Sequence, residues 1–304
     1  MTEPSVLVAG ETLIDFIPET AEPLPDVETF HRRPGGAPAN VAVGLARLDE
    51  MPWLCTTLST DPFGEFLADR LAAEGLPEAF VTRVSQPSAL AFVSHDPDAE
   101  TRFSFFRERT ADTVMETDVV DTATLESVDW LVVGGVTLSA EPSRSATIEL
   151  VERAQQAGCR IVFDPNTRPE LWRESDDVTL TLERLLRRTD VLKATREDFE
   201  PTAIPTDGEF ADRLLEKGPS ALLLTEGESG STLVADAESP WGAGEWHHPG
   251  YDLDEVVDTT GAGDAFLAGA ITALVERHDP EDLLAFANAV AAVSTTESGA
   301  MAAL

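Results

Sequence analysis

Short apolar runs recur along this chain, and longer segments between them carry apolar residues at helical spacing. Val6 to Ala9, Trp53 to Leu58, Trp130 to Val133, Arg160 to Phe163, Asp190 to Leu192 and Ala221 to Thr225 read as buried strands. Asp61-Pro62 onward to Gly75, Pro142 to Ala157, Thr181 to Arg188 and Pro280 to Val293 read as helices. Asp61 supplies an N-cap ahead of a proline in the first turn, and Gly158 takes the left-handed position that ends its helix. From Asp129 the order is strand, helix, strand, helix, which predicts a parallel sheet covered on both faces. Ligands of such sheets bind beyond the carboxyl ends of the strands.

Three stretches break the alternation. Thr12 to Pro18 alternates after the first strand and reads as a more exposed strand in which Asp15 faces either solvent or a ligand. Ala89 to Ser94 and Thr101 to Phe106, joined by a polar turn from His95 to Glu100, read as a hairpin; Phe105 and Phe106 then face opposite ways. With the strand near Phe30 these segments, about 12–33 and 88–108, make a small second sheet within a single domain spanning 1–304. A second hairpin joins Ala221–Thr225 to Ser231–Val234 through Glu226-Gly227-Glu228-Ser229-Gly230. Pro240 to Gly250 reads as a loop whose His247-His248 pair lies at the surface.

Composition narrows the setting. A chain of 304 residues with 42% hydrophobic residues can bury a sizeable core. No apolar run reaches membrane-spanning length and no signal-peptide pattern opens the chain, so a cytoplasmic protein is expected. Cys55 and Cys159 fall on buried strands and read as reduced core thiols. The formal net charge of -35, with lysine only at Lys193 and Lys217, predicts a protein adapted to molar salt, where screening shortens to about 3 Å. It also argues against nucleic acid or an anionic membrane as a partner.

The chemistry concentrates where glycines meet helix starts. Asp258-Thr259-Thr260-Gly261-Ala262-Gly263-Asp264-Ala265-Phe266 runs into a buried helix on which Phe266, Ala270, Ile271 and Leu274 share helical spacing. Its first free amides form a site for a phosphate or oxyanion, and Asp264 is either a helix-start charge or a base. Gly35-Gly36 precede a helix that opens with Ala37-Pro38-Ala39-Asn40, which suits close backbone approach by a ligand or a plain tight turn. Asp164-Pro165-Asn166-Thr167-Arg168 sits at a strand's carboxyl end. Lys193, in a chain nearly emptied of lysine, points to a phosphate role, and Asp198 is a metal-side carboxylate or a surface acid.

Taken together, these stretches resemble the ribokinase-like (PfkB) family of carbohydrate kinases in order and spacing over nearly the whole chain. The resemblance implies a three-layer α/β/α fold with a mostly parallel sheet and a β-sheet lid, ATP as phosphoryl donor, Mg²⁺ and a K⁺ site. It makes Asp264 the catalytic base, with the amides of Gly261, Ala262 and Gly263 holding the transferring phosphoryl group. Asp15, Gly35, Gly36, Asn40, Arg107, Asn166 and Arg168 would hold the sugar, and Lys193, Thr225, Gly227, Gly230 and Asn288 the nucleotide. Asp198 would act on Mg²⁺ through water, while Asp258 and Thr260, near Ser298-Gly299-Ala300, would hold K⁺. Arg107 followed by Ala111-Asp112 resembles the fructokinase branch; the Asp164 to Trp172 segment is shared with 2-keto-3-deoxygluconate kinases. Thr195 and Asp198 stand where the family has Asn and Glu. The expected activity is phosphorylation of a ketohexose, fructose first, with 2-keto-3-deoxygluconate or the fructose 1-position as alternatives and a non-catalytic regulator as the other class. No Walker loop, dinucleotide fingerprint or hydrolase elbow is present. A lid with an apolar outer face would invite a homodimer.

Overall fold

The computed structural model describes residues 4–20, 22–94, 102–172, 175–253 and 255–301. In chain order the strands are β1 (Val6–Ala9), β2 (Leu13–Pro18), β3 (Phe30–Gly35), β4 (Trp53–Ser59), β5 (Val81–Val84), β6 (Leu90–Ser94), β7 (Arg102–Phe106), β8 (Trp130–Gly134), β9 (Arg160–Asp164), β10 (Val191–Ala194), β11 (Ala221–Thr225), β12 (Ser231–Ala235) and β13 (Gly244–His248). The helices are α1 (Ala37–Arg47), α2 (Pro62–Ala73), α3 (Thr122–Ser127), α4 (Ser143–Ala157), α5 (Ser175–Leu186), α6 (Phe210–Leu215), α7 (Ala262–Val275) and α8 (Pro280–Ser294).

Nine strands form the central sheet in the order β13-β12-β11-β10-β9-β8-β1-β4-β5. All neighbours from β11 to β5 run parallel, while β12 and β13 add antiparallel strands at one edge. Strand periodicity sends alternate residues to opposite layers. Val6 and Val8 of β1 enter a core with α1, α2, α7 and α8, whereas Leu7 and Ala9 enter one with α3 to α6. Helix α7 is buried on every side from Asp264 to Leu274, as a helix apolar all round must be. Gly269 permits this closeness, since a Cβ there would stand 3.0 Å from Ala287 Cα of α8.

Caps fall where the sequence placed them. Asp61 accepts from the N–H groups of Phe63 and Gly64 at the start of α2, and Gly158 ends α4 with φ 94. Both cysteines are buried and unpaired, and among the described residues no helix is long and apolar enough to cross a membrane.

A second sheet has the order β3-β2-β6-β7. The β6–β7 hairpin forms as expected and joins β2 in parallel; its turn, 95–101, lies outside the described residues. Leu13, Ala89, Ala91, Phe103 and Phe105 share one small apolar cluster. On the other face Phe16 stacks on Phe92 at 4.8 Å, with Phe30, Phe63 and Phe106 around them. Phe105 and Phe106 do diverge, and Phe106 is 62% exposed.

Two expectations change and one strand is new. Pro240 to Gly250 is not wholly loop, because β13 pairs with β12, Leu233 opposite Trp246. Its Gly-Glu-Trp-His-His sequence lacks an apolar run because it is an edge strand with neither face deeply buried. Strand β2 is not exposed, since the main body covers it, and Asp15 is only 7% exposed. The edge strand β5 was hidden by its half-buried Val-Thr-Arg-Val pattern.

Candidate active site

The turn before α7 is held from both sides. Asp258 accepts from Thr260 N–H at 2.9 Å with one oxygen and from Gly299 N–H at 3.0 Å with the other, tying the turn to the C-terminal stretch. Gly261 has φ 81, and a Cβ on it would come within 2.5 Å of Ala300 Cβ, so glycine is required twice over. Ala262 N–H donates to Thr259 O at 3.2 Å, whereas the N–H groups of Gly261 and Gly263 have no partner among the described residues. At the start of α7 the Gly261 and Gly263 amides are therefore free, while the Ala262 amide is already engaged.

Asp264 occupies the first turn but does not cap it. Its Oδ2 accepts from Asn40 Nδ2 at 2.7 Å, a bond between the first turns of α7 and α1. Both side chains face a cavity of about 360 Å³ between the small sheet and the ends of the central strands. Leu13, Asp15, Phe103 and Phe105 line it from the lid; Asn166, Arg168, Lys193 and Asp198 line it from strand ends. Burial raises the Asp264 carboxyl to about 6, held down by the Asn40 bond and pushed up by Asp164.

Two further buried acids share this end. Burial raises Asp15 to about 7, with the Asp264 charge adding to the effect, and raises Glu11 to about 8. Gly35 lies off the cavity wall and acts through Asp15, because a Cβ there would stand 1.9 Å from Asp15 Oδ2. Gly36 lines the cavity with φ 104, packed on the Glu11 carbonyl.

The opposite wall holds a buried ion pair. Lys193 Nζ bonds Asp164 Oδ2 at 2.9 Å, and a Cβ on Gly263 would sit 3.1 Å from the same nitrogen. Burial pulls the lysine down, but Asp164 and Asp198 outweigh it and hold the ammonium charged. Asp198 is buried rather than solvated: it accepts from Thr167 N–H at 2.9 Å and from Thr195 N–H at 2.8 Å and hydroxyl at 3.2 Å.

Residues 3–304 match the pfkB family carbohydrate kinases. This chain belongs to that family. It is 33% identical to a fructokinase of Vibrio alginolyticus across 98% of this chain and 95% of the relative. The crystal structure of a Xylella fastidiosa fructokinase with bound ATP superposes with a TM-score of 0.84 at 32% identity, covering 97% of this chain and 93% of that one. A double-mutant fructokinase of Vibrio cholerae O395, in fructose, ADP and potassium ion bound form, gives 0.83 at 26% identity, covering 99% and 95%. The fold is the ribokinase-like α/β fold of these kinases.

Within this kinase some expected residues lie elsewhere. Arg107 does not line the cavity; its Nε pairs with Asp112 and its Nη1 bonds Ser139 Oγ at 2.6 Å. The arginine after β7 is consumed by the acid a few residues on, which the sequence displayed without revealing the pairing. Thr225, Gly227, Gly230 and Asn288 also lie off the cavity, around the β11–β12 turn and on α8. Gly230 has φ 83 and presses on the His248 carbonyl, and Asn288 Nδ2 bonds Ser231 Oγ and Leu284 O, each at 2.7 Å.

Sequence reasoning missed Glu11, the Asp164 partner of Lys193, and an apolar strip beside the turn. Val256, Val257 and Val293 are each at least half exposed there, and Val257 N–H bonds Thr295 O at 2.9 Å. An acid two residues past the end of a wholly buried strand was the available signal for Glu11. Among the described residues no group of three or more His, Cys, Asp or Glu could cage a metal ion. Asp198 lines the cavity, whereas Asp164 is not among its lining residues and is paired with Lys193.

Proposed function

We propose that this enzyme transfers the γ-phosphoryl group of ATP to a hydroxyl of a ketohexose, fructose first. One observation carries the reading: Asp264, buried at the start of α7 and held by Asn40 at 2.7 Å, faces the cavity beside the free amides of Gly261 and Gly263. A carboxyl near pKa 6 is ionised at neutral pH and still basic enough to take a hydroxyl proton as the oxygen attacks. The bond from the γ-phosphorus to the departing ADP oxygen breaks, the sugar oxygen–phosphorus bond forms, and the proton rests on Asp264. Charge on the transferring group falls on the Gly261 and Gly263 amides, aligned with the α7 dipole, and on Lys193 beside them.

Asp15, Gly36, Asn40, Asn166 and Arg168 would position the sugar, with Gly35 fixing Asp15 and Arg107 acting from outside the cavity. Thr225, Gly227, Gly230 and Asn288 would frame the nucleotide, and Val256, Val257 and Val293 offer the apolar surface an adenine ring needs. Mg²⁺, when bound, neutralises phosphate charge; Asp198, with Asp164, would hold its waters. Asp258 and Thr260 would border a K⁺ site. Residues 1–304 would act as one catalytic domain whose small sheet closes over the sugar and excludes water.

Arg168 lines the cavity without an ion pair among the described residues, which favours 2-keto-3-deoxygluconate as second reading. Three buried acids at the same end weigh against an anionic substrate and toward a neutral sugar. The exposed aromatic face of the lid would seat a second copy, and the acidic surface suits a salt-rich cytoplasm without nucleic-acid or membrane partners. A Mg-ATP panel in molar KCl with fructose, 2-keto-3-deoxygluconate, ribose and adenosine, with the product phosphate located, tests the reading. Turnover on none of them would leave a binding regulator.

A further inference from the structure

Glu11 is 2% exposed, yet its side chain lines the cavity, and its Oε2 has no hydrogen-bond partner among the described residues. It lies in the connection between β1 and β2, close to Gly134 of β8 and Pro38 of α1: a Cβ on Gly134 would stand 3.9 Å from Oε2 and 3.0 Å from Pro38 Cγ. A buried polar atom with no partner costs free energy unless something supplies one. Neither β8 nor α1 brings a charge to it. The charged groups that act on it are Arg107 after β7, Asp112 in the turn that follows, and Asp264 of α7.

We propose that Glu11 is a substrate-contacting residue whose Oε2 hydrogen-bonds a hydroxyl of the bound sugar from the floor of the cavity. The assignment rests on the reading of this cavity as a sugar site. Burial raises the Glu11 carboxyl to about 8, its own backbone N–H and Arg107 pulling the other way and Asp112 and Asp264 pushing with it. Below that pH the group is a neutral acid that can donate to a sugar oxygen as well as accept; above it the group is an anion that only accepts. It thus differs from Asp264, which must be ionised to work.

The test compares wild type, Glu11→Gln and Glu11→Ala with fructose and Mg-ATP in molar KCl between pH 6 and 9.5. Glu11→Ala should raise the fructose KM about tenfold or more while kcat changes far less, and Glu11→Gln should restore KM to within about threefold. Wild-type KM should rise as pH passes about 8, and Glu11→Gln should lack that rise. An unchanged KM in Glu11→Ala, or a wild-type alkaline rise in Glu11→Gln, overturns the assignment while leaving the kinase reading standing. Absence of turnover and of calorimetric sugar binding in the wild type overturns the kinase reading itself, and this assignment with it.

Discussion

Beneath the lid, Glu11, Asp15 and Asp264 are buried with no cation at ion-pair distance among the described residues, whereas across the cavity Asp164 is paired with Lys193 at 2.9 Å and Asp198 accepts three hydrogen bonds. Both walls desolvate carboxylates, and only one compensates them. On the paired wall Lys193 is held charged, although burial still raises the Asp164 carboxyl beside it. On the unmatched wall burial lifts the carboxyls to about 8, 7 and 6, where they can exchange protons and hydrogen bonds with hydroxyls. The proposed base at a helix start owes its proton affinity to the cation it is denied as much as to the groups it touches.

The largest expected effect tests the unmatched wall. Asp264→Asn should lower kcat by about 10³-fold, within the range that a general base contributes, with ATP binding by calorimetry retained. A rate within tenfold of wild type would give the base role to another group. Next comes the matched wall: Lys193→Met strands Asp164 and should cost about 3–5 kcal/mol of stability in denaturant titrations in molar KCl. Adding Asp164→Asn should recover most of that loss; no recovery would mean that the pair is not the unit it looks to be.

Removing the Asn40 bond should make Asp264 more like its unpartnered neighbours. Ionisation of this base switches the reaction on, so wild-type kcat/KM should fall as pH drops through about 6. In Asn40→Ala that acid limb should move upward by about one pH unit, because a bond favouring the anion is lost. An unmoved limb would uncouple Asn40 from the base. The smallest effect belongs to Thr195→Val, which removes the 3.2 Å hydroxyl bond to Asp198 but leaves the backbone bond. About 1 kcal/mol in Mg-ATP affinity or stability is expected, measured by calorimetry and melting.

Much of the fold was legible because its signals are local. The apolar runs, Asp61 as cap, Gly158 as stop and the switch from βα alternation to a hairpin all depend on residues close in sequence. Strand β13 escaped because an edge strand buries too little to show an apolar pattern. The site was legible at its glycines for the same reason, Gly261 with its left-handed φ being the plainest. Arg107 shows the limit: an arginine after the hairpin was expected on the sugar, and Asp112 with Ser139 holds it off the cavity wall.

The sequence by itself determined most of the elements, the fully buried α7, the acid excess and the presence of an acid beside a glycine turn at a helix start. Tertiary structure decided which carboxylates are paired and which amides are free. Asp264 meets Asn40 across 224 positions of sequence, Lys193 meets Asp164 across 29, and Glu11, just past a buried strand, is left with an oxygen without a partner. The physical reason is one of range. Periodicity and turn chemistry act between near neighbours, whereas the proton affinity of a buried acid is set by desolvation and by charges within a few ångströms, contributed by elements that only folding brings together.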